Sequence, residues 1–212
     1  ECLQKIFHCL SAAGLKLNAS KCSFFQKSVL FLGPNVSEEG VKTDPTKIEA
    51  VQKWPKPINK KQVRSFLGLF SYYTRFVKGF ASIAEPLHQF SEKHSHFQWT
   101  KECDTAFKSL EEALVITPVL AYPTEEGQFI LDCDSSDTCS GAVLSQIQDQ
   151  QEHVIAYMSK VLTKEERKYC VTRKELLAVV KAVRTFKHYL YGRSVVLRTD
   201  NTAVSWMFRS EE

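Results

Sequence analysis

The 212-residue sequence lacks the features that would take it into or across a membrane. No apolar run approaches the ~18 residues of a transmembrane helix. The opening residues, ECLQKIFHCL, have no long apolar core of the secretory type. Seven cysteines, at 2, 9, 22, 103, 133, 139 and 170, include no Cys-x-x-Cys pair. An odd count without that spacing argues against a disulfide framework or a zinc module. It favours an intracellular, reducing setting, with most of the thiols acting as small buried hydrophobes. There is also no phosphate-binding P-loop, no Gly-x-Ser-x-Gly elbow and no His-Glu-x-x-His pair, which removes three common chemistries. Internal repeats and low-complexity tracts are absent as well.

What is present is a composition ordinary for a globular chain, 43% hydrophobic and 25% charged. The length allows one large or two small domains, each with a real core. The net charge of +4 hides a segregation. Residues 42–81 carry nine Lys/Arg against two acids, 82–159 carry three against thirteen, and 160–198 carry eleven against three. Two basic blocks around an acidic one suit a chain that grips a polyanion and keeps carboxylates for metal; solvated faces are the plainer alternative.

Residues 2–13 have helical spacing, and Gly14 is a natural stop. From 15 to 42 the pattern predicts a small β-meander, with strands in LKLN, SFFQKSVLFLG and VSEEGVK. Asp44-Pro45 opens a helix that Trp54-Pro55-Lys56-Pro57 ends, and Asn59 caps a helix over KKQVRSFLGLFSYYTRFV. Two more helices are expected at Ile83–Phe90 and Lys101–Leu114, then a hinge at Tyr122–Gly127. Strands follow at Gln128–Asp134, Gly141–Gln146 and His153–Met158, then a long helix from about Thr163 to Tyr191, a strand at Ser194–Thr199 and the start of another helix at 201. Three strands, a helix and a further strand predict an α/β fold with a mixed sheet.

Three carboxylates stand out in that pattern. Alternation puts Phe129, Leu131 and Cys133 on one face of the first strand and Asp132 and Asp134 on the other, without separating the two acids. Glu175 is an acid among apolar neighbours: at ~100° per residue, Val171, Val179, Ala182, Phe186 and Tyr189 share its side of the helix. Arg173, Lys174, Lys181, Arg184 and Lys187 fall on the opposite side. A carboxylate in such a stripe is costly unless paired, protonated or metal-bound. Asp200 ends the last strand, where ligand-binding residues gather in open α/β sheets. Each has a plainer role available: a turn starter, a salt-bridged core Glu, a helix N-cap. Together, three acids from three separate segments suit Mg2+, which takes carboxylates plus substrate phosphate oxygens. Two such ions, roughly 4 Å apart, serve phosphodiester hydrolysis.

The ordered motifs AGLKLNASKCSFF, VLFLGPNVSEEGVKTDPTKIEAV, WPKPINKKQVRSFLGLFSYYTRFVKGFASIAEPL, FQWTKECDTAFKSL, FILDCDSSDTCSGAVLSQ, HVIAYMSKVLTKEERKYCVTRKELLAVVKAV, HYLYG and LRTDNTAVSW resemble the Pol polyprotein of gypsy-like LTR retrotransposons. The resemblance covers nearly the whole chain. It implies that residues 1–43 are the end of a reverse transcriptase palm with its primer-grip hairpin, 44–121 the thumb and connection helices, and 122–212 an RNase H-like domain. It further implies that CDSS supplies Asp134, KELLAV Glu175 and RTDN Asp200 as catalytic and metal-binding acids, with two Mg2+ ions or Mn2+ in their place. The implied partners are an RNA–DNA hybrid or template-primer and the remainder of the Pol polyprotein, with no membrane, in a cytoplasmic particle or the nucleus.

Within 59–80, Lys60, Lys61, Arg64, Arg75 and Lys78 alternate with Phe66, Phe70, Tyr72, Tyr73 and Phe76. The cations are candidates for phosphate contact; the aromatics are expected to form core. The chain departs from the family pattern in having no Asp-Asp pair, so the polymerase motif is expected upstream. A fourth RNase H acid and the last strand and helices of that fold are expected beyond residue 212. Cys133 and Ser135 stand where the family has Thr and Ala. The expected parent therefore makes DNA on RNA and hydrolyses RNA in hybrids. A non-catalytic nucleic-acid-binding remnant is the alternative. A transposase or integrase fits the Asp–Glu–Asp order less well, and a purely structural domain leaves Glu175 unexplained.

Overall fold

A computed structural model describes residues 2–91 and 96–209; the expected segment ends at 1 and 212 lie outside them. Helix α1 (Cys2–Ala12) stops before Gly14, whose φ of +71° is the left-handed geometry of a helix C-terminus. Three short antiparallel strands, β1 (Ser28–Leu30), β2 (Asn35–Ser37) and β3 (Gly40–Lys42), form the predicted meander. LKLN is not one of its strands. Residues 19–21 instead make a single helical turn, capped by Asn18 Oδ1 accepting from the Ser20 N–H at 3.1 Å.

The helical unit follows. In α2 (Pro45–Gln52), Asp44 Oδ1 accepts from the Thr46 N–H at 2.9 Å. In α3 (Lys60–Phe70), Asn59 Oδ1 accepts from the Gln62 N–H at 2.9 Å, and Gln62 Oε1 accepts from the Ile58 N–H at 2.8 Å. Both caps satisfy amides that a helix start leaves without carbonyl partners. The sequence pattern ran α3 on to Val77, but the helix ends at Phe70. Ser71 Oγ donates to the Gly68 carbonyl at 2.6 Å and Thr74 Oγ1 to the Ser71 carbonyl at 3.2 Å, while the backbone amides of Tyr72, Tyr73 and Phe76 tighten to partners three residues back, and turns follow. Helices α4 (Phe80–His88) and α5 (Lys101–Val115) complete the unit. Its core contains Phe66, Phe70, Tyr73, Phe76, Phe90 and Phe107, with Phe66 stacked obliquely on Phe107 at 4.5 Å. The aromatics expected to be core are core, except Tyr72, which is exposed.

The second sheet has the order β6-β5-β4-β7, built from β4 (Phe129–Ser135), β5 (Cys139–Gln148), β6 (Gln151–Val161) and β7 (Val195–Arg198). β4 is antiparallel to β5 and parallel to β7, so the sheet is mixed, as expected of the fold class. Phe129, Leu131, Cys133, Ala142, Leu144, Ala156 and Met158 form its apolar face. Against it lie Ala178, Val179 and Ala182 of α6 (Val171–Thr185) and Phe186. The helix expected from Thr163 begins only at Val171. Thr163 and Glu166 do cap one another, N–H to Oε2 at 2.8 Å and N–H to Oγ1 at 3.2 Å, but they close one turn before Tyr169 and Cys170 become extended. Phe186 breaks the far end before α7 (Lys187–Leu190), and α8 (Thr202–Arg209) follows β7.

The units are stitched together. Val41 and Leu120 exchange backbone hydrogen bonds at 2.8 and 3.0 Å, and Ala121 N–H reaches the Val154 carbonyl at 2.9 Å. Gly40 makes the first contact feasible: a Cβ there would lie 2.4 Å from the Leu120 carbonyl oxygen. The expected hinge at 122–127 is pinned by the buried Gln146 amide, which donates to the carbonyls of Thr124, Glu126 and Gly127 at 3.1–3.3 Å. Only three of the seven cysteines, 103, 133 and 139, are buried; Cys2, Cys9 and Cys170 are exposed, contrary to the expectation for thiols. Among the described residues no helix is long and apolar enough to cross a membrane.

Candidate active site

β4 and β7 run side by side in one direction, with Asp132 level with Arg198. Two residues further along each lie Asp134 and Asp200. They therefore leave the sheet at the same end, which is what parallel pairing does for equal offsets. α6 crosses the apolar face with Glu175 near its start, beside that same end. Glu175 Oε1 accepts from the Ser135 N–H at 3.2 Å. One carboxylate oxygen from each of Asp134, Glu175 and Asp200 lies within 4.8 Å of the others.

The three acids are not alike. Asp134 and Asp200 face solvent, whereas Glu175 is 5% exposed. Its Oε2 is buried without a hydrogen-bond partner among the described residues. Burial, then the charge of Asp134, raises its carboxyl above the ordinary Glu range; the Ser135 N–H pulls the other way. An under-satisfied buried oxygen beside two further carboxylates fits a hard divalent cation, whose preferred donors are oxygens.

Asp132, which the sequence could not separate from Asp134, has other work. Both its oxygens accept from Arg198, Nε and Nη2, at 2.6 Å each. The same guanidinium bonds Glu152 at 2.7 and 3.0 Å. A bidentate Arg pair satisfies Asp132 within the protein and leaves Asp134 to the cluster. Lys174 corrects the helical-wheel reading. It was placed on the side opposite Glu175 among the other cations, yet its side chain is 8% exposed, and Nζ meets Asp137 Oδ1 at 2.7 Å. That pair ties α6 to the turn between β4 and β5. Cys133 is buried beside the site, and burial pushes its thiol up to about 12, so it stays an inert core atom.

A cavity of about 550 Å3 opens in front of Asp134 and Asp200, with Glu175 behind its wall. Asp132, Asp134, Arg198, Thr199 and Asp200 line one side, and Lys78, Gly79 and Ser82 line another. The five predicted cations therefore separate. Lys60, Lys61 and Arg64 lie on α3, away from this cavity. Arg75 is half-buried, with Nε unpartnered among the described residues and its guanidinium 5.4 Å from the Phe76 ring. Only Lys78 reaches the acids' cavity. Sequence reasoning missed the cavity's Ser82 and Arg198, and no pattern in the chain marks them.

Comparison with known proteins places these observations. Residues 99–197 match the RNase H-like domain found in reverse transcriptase. The chain is 37% identical over 211 residues to the retrovirus-related Pol polyprotein from transposon 297 of Drosophila melanogaster, covering 99% of this chain and 20% of that protein. It is 33% identical to the corresponding polyprotein from transposon 412, over 97% of this chain and 17% of that one. The Tf2-3 transposon polyprotein of Schizosaccharomyces pombe is 34% identical over 182 residues, 85% of this chain and 14% of that protein. The chain thus spans about a fifth or less of these relatives. In fold it is similar to a foamy viral protease-reverse transcriptase solved with double-stranded DNA, at TM-score 0.79 and 23% identity over 98% of this chain and 37% of that one. A foamy viral protease-reverse transcriptase solved with an RNA/DNA hybrid gives 0.77 and 22%, over 100% and 31%. This stretch of polypeptide therefore belongs with the retrotransposon Pol polyproteins and contains an RNase H-like domain of the reverse transcriptase kind.

Proposed function

We propose that this chain is a reverse transcriptase/RNase H segment of a gypsy-like Pol polyprotein, and that its own chemistry is divalent-metal-dependent hydrolysis of RNA in RNA–DNA hybrids. The parent protein would also make DNA on RNA; this chain has no Asp-Asp pair for that step. In this reading 1–43 close the palm, 44–121 are thumb and connection, and 122–212 form the nuclease. One observation carries it: three carboxylates from three segments meet within 4.8 Å while Glu175 Oε2 is left buried and unpartnered. A chain that only bound nucleic acid would have no use for that oxygen.

Asp134, Glu175 and Asp200 would hold two Mg2+ ions, or Mn2+ in their place. Metal bound there supplies an activated water and charge compensation at the scissile phosphate. The protein's part is placement. β4 and β7 set Asp134 and Asp200 at one level, and Ser135 N–H fixes the Glu175 carboxylate against them. Arg198 keeps Asp132 out of the cluster. The 2′-hydroxyl is the group that distinguishes the RNA strand.

The test is cleavage of a labelled hybrid with and without Mg2+. Asp134→Asn is expected to lower the rate by at least ~100-fold, the scale of losing one preorganised electrostatic group. Unchanged Mg2+-dependent cleavage in that variant would remove the assignment.

A further inference from the structure

Resting on that reading, we propose that the helical unit completes the nuclease site: Lys78 takes a backbone phosphate of the strand being cut, and Gly141 keeps the floor between Lys78 and Asp134 clear. The segment carrying Lys78 is fixed at both ends to β6. The Tyr157 N–H donates to the Arg75 carbonyl at 3.0 Å, and the Ala81 N–H donates to Ser159 Oγ at 2.8 Å. Lys78 stands midway between these anchors. It is exposed, lines the acids' cavity and has no ion-pair partner among the described residues.

The sheet register gives the path. Ser159 pairs with Gly141, and Gly141 with Asp134, so the three form a row across β6, β5 and β4. Two inter-strand steps span roughly 10 Å. That separates the Ser159 and Asp134 backbones, and it is roughly three nucleotides of rise along one strand. A polyanion bridges an ammonium at one end of the row and a metal-laden carboxylate at the other. Gly141 lies between them, and neither its backbone nor its packing calls for glycine. Its φ is not left-handed, and an added Cβ would meet only the Met158 carbonyl oxygen, at an ordinary 3.9 Å. What its bareness provides is room in the cavity it lines.

The experiment measures binding of an RNA–DNA hybrid by fluorescence anisotropy over a salt series without divalent metal, and Mn2+ binding by calorimetry, on the full chain. Lys78→Ala should weaken hybrid binding several-fold and reduce the salt slope by about 1, the signature of one lost phosphate contact. Lys78→Arg should restore most of both. Gly141→Leu should weaken hybrid binding at least tenfold with an unfolding midpoint near that of the unmodified chain, and Gly141→Ser should fall between. Mn2+ binding should be unchanged in all four. Wild-type hybrid affinity and salt slope in Lys78→Ala, with Mn2+ still bound, would overturn this inference and leave the metal-site reading standing. Absence of Mn2+ binding in the unmodified chain would overturn both.

Discussion

Asp104 and Glu175 are both helix carboxylates, one in each unit, and their surroundings push them in opposite directions. On α5, Asp104 accepts from Lys56 at 2.7 Å, from the Trp99 indole at 3.2 Å and from Lys108 at 3.4 Å. Lys56 foremost, then Trp99, hold its carboxyl down to about 2. On α6, Glu175 has a single protein donor among the described residues and a raised pKa, caused first by burial. The helical unit neutralises its own acid and uses it to join α5 to the Pro55–Pro57 crossing. The sheet unit leaves its acid under-satisfied next to two more. A carboxylate kept for an external cation costs the empty fold stability; one kept for the fold does not.

The largest effect expected of a single change tests the closed half of this comparison. Phe66 is fully buried and touches Trp54, Phe70 and Phe107. Phe66→Ala should lower unfolding stability by about 3–5 kcal/mol, because the rings around the cavity cannot all close in. Denaturant midpoints measure it. The Mn2+ affinity of the remaining folded protein should stay as it was.

Next comes the ion pair that looks structural but serves the site. Asp137 is 93% exposed and Lys174 8% exposed, so removing the acid strands a buried ammonium. Asp137→Asn should lower the unfolding midpoint in denaturant. Lys174→Met, which removes the buried charge as well, should cost less or stabilise. If the two variants cost the same, the pair is a surface pair and the turn between β4 and β5 is held by something else.

The open half is tested at Glu175 itself. Glu175→Gln keeps an acceptor for the Ser135 N–H and drops a charge facing Asp134 and Asp200. Without metal at neutral pH it should be more stable than the unmodified chain by about 1 kcal/mol, the scale of one badly satisfied buried group. The sign follows from linkage. A raised folded pKa means the favourable proton is held below the unfolded value of about 4.3 and lost as pH rises through the folded value. The advantage of Gln should therefore vanish in acid, grow as pH rises from the unfolded value to Glu175's raised one, and stay constant above it. Mn2+ should reverse it, stabilising the Glu form and not the Gln form.

The same contrast explains what the sequence made legible. Periodicity and caps located most elements, because Asp44 and Asn59 act locally on the next turn. Glu175 could be found because a lone acid among apolar helix positions is visible in one dimension. Asp134 could not be told from Asp132, because the difference is Arg198, 66 residues away and brought alongside only by β7 pairing. Lys174 was misread for the same reason: its partner Asp137 sits 37 residues earlier, in a turn that folds over the helix. The end of α3 was missed because Ser71 and Thr74 hydroxyls bond carbonyls that a helix would have used. Lys78 was picked out for its charge, but the cavity it shares with the acids depends on two hydrogen bonds to β6 that no local pattern encodes.

The smallest effect belongs to Asp104, and its value lies in its pH window. Its folded carboxyl titrates at about 2, against about 3.9 in an unfolded chain. The stability it contributes is present above the unfolded value and is lost as pH falls toward about 2. Asp104→Asn removes the charge that Lys56 and Lys108 face while leaving an oxygen for the Trp99 N–H. Its melting temperature should be slightly below that of the unmodified chain at neutral pH, and the two should converge near pH 2. The cations here are exposed to water and salt, so the gap should also shrink at high ionic strength. Glu175→Gln must behave in the opposite sense, gaining rather than losing relative to the unmodified chain as pH rises. If both variants shifted the melting temperature in one direction across the same window, the contrast between a carboxylate satisfied by the protein and one reserved for a cation would have no physical basis, and Glu175 would be another fold-holding acid.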